Sequence, residues 1–186
     1  REVASLGQNA MQRKKNEDGL TTIDSTSATQ LGAAGAVMSF GLVAAAVSQV
    51  SGNTTEPGHQ PYRFVAHPFQ MKDIYDQFTT PIGTYDISDG ASFRVFKEGF
   101  KGMINTAQAF ENGDLSIDSD DDAKAGMFAK EGIVLVEEMR PRMETERKPG
   151  TGGGSTIVYH TDSYAYGIRQ NQWVREIISD ATAPTS

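Results

Sequence analysis

Asp118, Asp120 and Asp122 alternate along an acidic stretch, as oxygen ligands do around a calcium ion. A calcium loop also needs a glycine at its sixth position and a bidentate glutamate at its twelfth. Ala123 and Ala129 stand there instead. The stretch 113–122 therefore reads as a solvated loop. A glycine-rich run at 150–154 precedes Ser155 and Thr156, but a phosphate-binding loop needs a lysine before the hydroxyl and a helix after it. Here Gly154 takes the lysine's place and the residues that follow read as a strand. His59, His67 and His160 lack metal-ligand spacing. His67, just before Pro68, reads as a helix cap. No Ser-His-Asp set or carboxylate pair assembles, so no catalytic, metal or cofactor residue is assigned and no cofactor is expected. Trp173, Tyr159, Tyr164 and Tyr166 read as packing residues.

One pattern remains. Arg140, Arg142, Glu144, Glu146 and Lys148 place a charge at every second position. That period puts all five on one face of a strand. A face so charged suits either water or a neighbour of complementary charge. Arg140, Arg142, Glu144 and Glu146 are the candidate interface residues. Pro141 suggests that their strand begins at a sheet edge.

The elements that must position this strand follow from composition and periodicity. The 186 residues suit one compact domain or two small lobes. There is no cysteine, hence no disulfide framework and no thiolate chemistry. Net charge is −7, of which residues 56–135 carry −6, from seven basic and thirteen acidic groups. An acidic lobe repels phosphates, which argues against sequence-specific nucleic-acid binding there. The chain starts at Arg1, not methionine, and shows no signal peptide; either its N-terminus was removed or further residues precede it.

Ser25 to Thr55 carries no charge. Its length and its small residues four apart (Gly32 with Ala36, Gly41 with Ala45) would suit a membrane helix. Gly32 and Gly35 weaken any single helix by about 1 kcal/mol each, however, and Ser39 can cap a new one. We read a link or short strand at 31–38 and a helix at 39–51 stopped by Gly52. That helix is too short to span a bilayer, so the run is read as the interior of a soluble fold. Residues 1–17 read as an amphipathic helix with Val3, Leu6, Ala10 and Met11 on one face. It ends at Asn16 and Gly19, with Leu20 to Ile23 as a connection. A strand at 63–66 leads into a helix at 68–78, followed by a loop at 79–92. Strands are expected at 93–96 and 102–109. Gly132 to Val136 is the strongest buried-strand signal. Strand 140–148 and strand 155–160 form a hairpin about the turn 149–154. A last strand covers 173–178, with Trp173, Arg175 and Ile177 on one face.

This order resembles a known family. The helix ending at residues 10–20, the run His67-Pro68-Phe69-Gln70 opening a helix, Ala129 to Val136 ahead of the charged strand, and Tyr166-Gly167-Ile168 before Trp173 to Ala181 look like the major capsid protein of tailed bacteriophages, in the Hong Kong 97 phage fold. Family members are longer, with an N-terminal arm and an extended loop ahead of the spine helix; cross-linking chemistry is not carried over. The resemblance implies an α+β fold with two domains. The peripheral domain holds a spine helix and a long β-hairpin. The axial domain holds a mixed sheet flanked by helices. Residues 1–56 would be peripheral (1–19 the end of the spine helix), 57–138 axial, and 139–186 the return to the peripheral domain. It further implies a structural, non-enzymatic subunit of an icosahedral shell, assembling with copies of itself into pentamers and hexamers around double-stranded DNA. Portal, scaffold and decoration proteins would be further partners, with no membrane. Its location would be the virion, after assembly in the host cytoplasm. The competing readings are a small α+β enzyme or ligand-binding protein without a recognisable motif, and a membrane protein such as a phage lysis factor.

Overall fold

In the computed structural model, which describes residues 2–79, 103–150 and 154–185, the uncharged run divides as its glycines and Ser39 suggest. Leu31–Gly32 forms the short strand β1 and Phe40–Ser51 forms helix α2. The Ser39 hydroxyl accepts from the Leu42 N–H at 3.1 Å, and the Gly52 N–H closes on the Ser48 carbonyl at 2.8 Å. Val43, Ala46, Val47 and Val50 are buried along one side of α2. Among the described residues, no helix is long and apolar enough to cross a membrane.

Helix α1 covers Glu2–Asp24, with β1 and α2 following it in the chain. The expected stop at Asn16 and Gly19 is overturned, as is the connection at 20–23. Thr21 and Thr22 donate their hydroxyls to the Glu17 and Asp18 carbonyls one turn back, both at 2.8 Å, and Ile23 is 3% exposed. Tertiary burial at the far end outweighs the ~1 kcal/mol that Gly19 costs the helix. The inward face also differs from the expected one. Leu6 and Ala10 are exposed, while Gly7, Met11, Lys15, Asp18, Gly19 and Ile23 turn inward.

Strand β2 (Tyr62–Ala66) leads through His67 into helix α3 (Pro68–Thr79). His67 caps α3 as expected: its Nδ1 accepts from the Phe69 N–H at 3.3 Å. Beyond Thr79, the expected loop to residue 92 and the strand at 93–96 lie outside the described residues. The single strand expected at 102–109 is instead two, β3 (Met103–Ile104) and β4 (Ala107–Glu111). Asn105 and Thr106 turn between them with positive φ, the conformation that two-residue hairpins require. The acidic loop folds on itself, Asp118 accepting from the N–H groups of Asp120 and Asp122 at 2.9 and 3.0 Å. Strand β5 (Asp122–Phe128) follows.

With β8 (Val174–Asp180) these strands make a six-stranded mixed sheet in the order β1-β8-β5-β2-β4-β3. Alternation along each strand gives the sheet two different faces. Phe64, Ala125, Met127 and Ile177 point into a core shared with α2 and α3, where Met38, Met71 and Ile74 are also buried. Trp173, Arg175 and Ile177 turn to this side as expected, although Trp173 itself sits in a 3-10 turn ahead of β8. Arg175 reaches Gln49 of α2 at 3.0 Å. Gln70, fully buried at the base of α3, donates to the Ala123 carbonyl and to Ser179 Oγ, each at 2.8 Å. The C-terminal turn of α1 lies on the opposite face, where Ile23 rests against Gly126 and Asp24 pairs with Lys124.

Between β5 and β8 the chain leaves the sheet. Ile133–Lys148 (β6) and Ser155–Ile168 (β7) form a separate two-stranded ribbon. The expectation of a buried strand at 132–136 is overturned here. Gly132 is buried, but Val134, Leu135 and Val136 are 40%, 42% and 62% exposed. The aliphatic run pairs with β7, and among the described residues no second layer covers its outer face.

Candidate assembly interface

A strand of sixteen residues reaches about 50 Å, so the ribbon is a long arm. Helix α1 lies along its root half. The even-numbered residues of β7 face that helix, and the register along the two elements agrees. Gly7 lies against His160, Lys15 against Asp162, Asp18 against Tyr164, and Gly19 against Tyr166. Twelve helical residues rise about 18 Å and six strand residues about 20 Å, so the two run side by side without losing step. A Cβ on Gly7 would overlap the His160 ring where it now stands, so the glycine admits this close approach.

The contact is polar. Lys15 Nζ stands 2.7 Å from both Glu137 Oε1 on β6 and Asp162 Oδ2 on β7, and 5.0 Å from the centre of the Tyr164 ring. The Asp162 side chain is 4% exposed. Hydrogen bonds to Asp162 and Glu137 hold the Lys15 ammonium charged far above its ordinary range. Tyr164 donates to Asp18 Oδ2 at 2.7 Å, which together with desolvation pushes its phenol up to about 12. Asp18, bonded to Lys14 and Tyr164, is held below the usual carboxylate range. One lysine thus fastens both ribbon strands to the helix. A groove of about 430 Å³ opens at the ribbon's root, walled by Leu20, Ile23, Phe110, Phe128, Ile133 and Leu135.

Among the described residues, the opposite face of the ribbon has no such cover. It carries Val134, Val136, Ala165 and Gly167 near the root. Farther out, Arg142 pairs in register with Thr161, Glu144 with Tyr159, and Glu146 with Ile157. The four candidate residues all lie on β6 and all are exposed. Arg142 Nη2 reaches Glu144 Oε1 at 3.0 Å, and Tyr159 donates to Glu146 at 3.1 Å. Arg140 lies in the irregular stretch between Met139 and Arg142, where the register with β7 shifts. Pro141 occupies that same stretch. It does not start an edge strand as expected, because β6 is continuous from Ile133; the missing N–H falls where the ladder is already broken. The return strand runs on to Ile168, not only to His160.

Sequence reasoning missed the α1-facing set of Lys15, Glu137, Asp162 and Tyr164. The signal was present as the alternation of His160, Asp162, Tyr164 and Tyr166 with the small residues Ser163, Ala165 and Gly167. Among the described residues, no group of three or more histidine or acidic side chains could hold a metal ion.

No protein-family description matches this sequence, and no curated protein sequence matches it either. Its architecture does match solved structures. A chain of Mycobacterium phage Che8 superposes over 94% of this chain with a TM-score of 0.72 at 16% identity. The head structure of Helicobacter pylori bacteriophage KHP40 matches over 96% with a TM-score of 0.68 at 11% identity. The SrpI encapsulin complex of Synechococcus elongatus PCC 7942 matches over 100%, also at 0.68 and 11% identity. The chain spans 61% of the Che8 chain's length and 68% of the other two. The chain has the α+β fold of the Hong Kong 97 phage capsid subunit.

Proposed function

We propose that this chain is a structural, non-enzymatic subunit of an icosahedral viral shell, self-assembling into pentamers and hexamers around packaged double-stranded DNA. The observation that carries the reading is the match to the Che8 chain across nearly the whole of this one. The exposed charged ribbon supports it, since a fixed arm with one bare face is a surface that repeated copies can share. On this reading Arg140, Arg142, Glu144 and Glu146 meet a neighbouring copy. Residues 1–56 and 139–186 are assigned to the peripheral domain and 57–138 to the axial domain, although β1 and β8 are strands of the axial sheet and α2 packs on it. Portal, scaffold and decoration proteins are further partners. DNA lies nearby without sequence-specific contact, which suits the acidic middle of the chain. Assembly takes place in the host cytoplasm and the product is the virion.

A second reading is favoured by one observation, the match of the whole chain to a bacterial encapsulin complex. There the shell would enclose something other than a genome. Electron microscopy of particles purified from expressing cells, followed by nuclease digestion and extraction of the contents, separates the two. Nuclease-protected double-stranded DNA supports the viral shell. Particles holding protein and no DNA support the compartment. A chain that forms no particle contradicts both.

A further inference from the structure

The charges on the outer half of β6 have a property beyond their alternation. Read outward from Glu138, the even positions carry Glu138, Arg140, Arg142, Glu144, Glu146 and Lys148. Reflected about Met143, every sign reverses: 138 falls opposite 148, 140 opposite 146, and 142 opposite 144. A strand with that pattern is complementary to itself when a second copy lies against it antiparallel. A two-fold axis is the one operation that makes such a contact from identical surfaces.

Among the described residues, the central part of the required surface is exposed. Arg142, Glu144 and Glu146 share the ribbon face turned away from α1, as their register with the odd-numbered residues of β7 shows, and all are exposed. Glu138 reaches the same face, accepting from Ser163 Oγ at 3.0 Å. The irregular stretch before Arg142 interrupts the ideal spacing, so the central pair, 142 with 144, is the best defined.

We infer that two copies of this chain pack ribbon against ribbon about a two-fold axis at Met143, with Arg142 and Arg140 of each copy paired to Glu144 and Glu146 of the other. The inference rests on the reading of the chain as a self-assembling subunit and names the symmetry of one contact in it. Arginine forms two-point bonds to carboxylates, so the pairing fixes register as well as attraction. The present intrachain bond from Arg142 to Glu144 would open or be shared when the second copy arrives.

Two single charge reversals of the full chain test this, Arg142→Glu and Glu144→Arg. Each alone puts like charges opposite one another across the axis, and each also destroys the intrachain pair. In a mixture of the two variants, one copy presents acidic side chains at both positions and the other presents basic ones. Opposite charges then meet between copies and nowhere within one. Self-association is followed by sedimentation velocity and particle formation by electron microscopy, with circular dichroism confirming that each variant is folded. The inference expects each variant alone to associate roughly tenfold or more weakly than the natural chain, and the mixture to recover most of that loss. A variant that associates alone like the natural chain overturns the two-fold contact, as does a folded mixture that recovers nothing. If the natural chain pairs and the mixture recovers pairing, but no closed particle forms, the shell reading fails and the contact stands. If particles form with either single variant, the shell reading stands and the contact fails. A natural chain that stays monomeric throughout overturns both.

Discussion

Replacing Gly126 by alanine tests the placement of α1 on the sheet. A Cβ on Gly126 would stand 2.5 Å from Ile23 Cδ1 and 2.8 Å from Ile23 Cγ2. Ile23 is 3% exposed, so it has little room to retreat. Overpacking of this kind costs about 1–3 kcal/mol. For a chain of this size that is a drop of roughly 2–12 °C in melting temperature. Ile23→Ala alone leaves a cavity and costs about 2–5 kcal/mol. Combined, the added methyl occupies space that the isoleucine has vacated, so the double variant should be more stable than the sum of the single effects by about 1–3 kcal/mol. Urea unfolding of the isolated chain measures this, with the single tryptophan, Trp173, as a buried fluorescent reporter. Additive effects within about 0.5 kcal/mol, or a neutral Gly126→Ala, would show that the end of α1 does not rest on β5.

Three further outcomes are expected. Burial pushes the His67 imidazole below its ordinary value of 6.5. The unfolded chain therefore binds a proton that the folded one resists, and stability should fall as pH drops below about 6.5. His67→Gln should flatten that slope in urea midpoints measured between pH 5 and 8, and an unchanged slope would count against the assignment. Lys15→Met leaves Asp162 buried without its cation and should lower the melting temperature, while adding Asp162→Leu should recover part of the loss; a Lys15→Met variant as stable as the natural chain would show that the lysine does not fasten the ribbon. Reversing Arg140 and Arg142 together to glutamate should impair particle formation and leave circular dichroism unchanged, and normal particles would remove these residues from the interface.

Where the chain's local signals agreed with its tertiary setting, the elements could be read from sequence. Ser39 and Gly52 bound α2 because caps act through neighbouring backbone groups. His67 and Pro68 open α3 for the same reason. Two readings failed where packing elsewhere decides the outcome. Gly19 looks like a helix end, but its missing side chain admits Tyr166, a residue distant in sequence. Ile133 to Val136 looks like a buried strand, but Val134, Leu135 and Val136 are exposed on the arm. Exposure of an aliphatic strand is invisible to a periodicity argument, which assumes that apolar surface is covered by the same chain. The charged face of β6 was legible because its alternation is local. Its α1-facing counterpart was missed because the return strand was ended at His160, one residue pair before the alternation becomes clear.

The central claim is that this fold builds a closed shell. Cryo-electron microscopy of the assembled natural chain tests it most directly. The account predicts particles of uniform size whose reconstruction shows five- and six-fold clusters of this subunit, with the ribbons lying between clusters. A chain that remains monomeric or a small oligomer over the whole accessible concentration range, while folded, would contradict it.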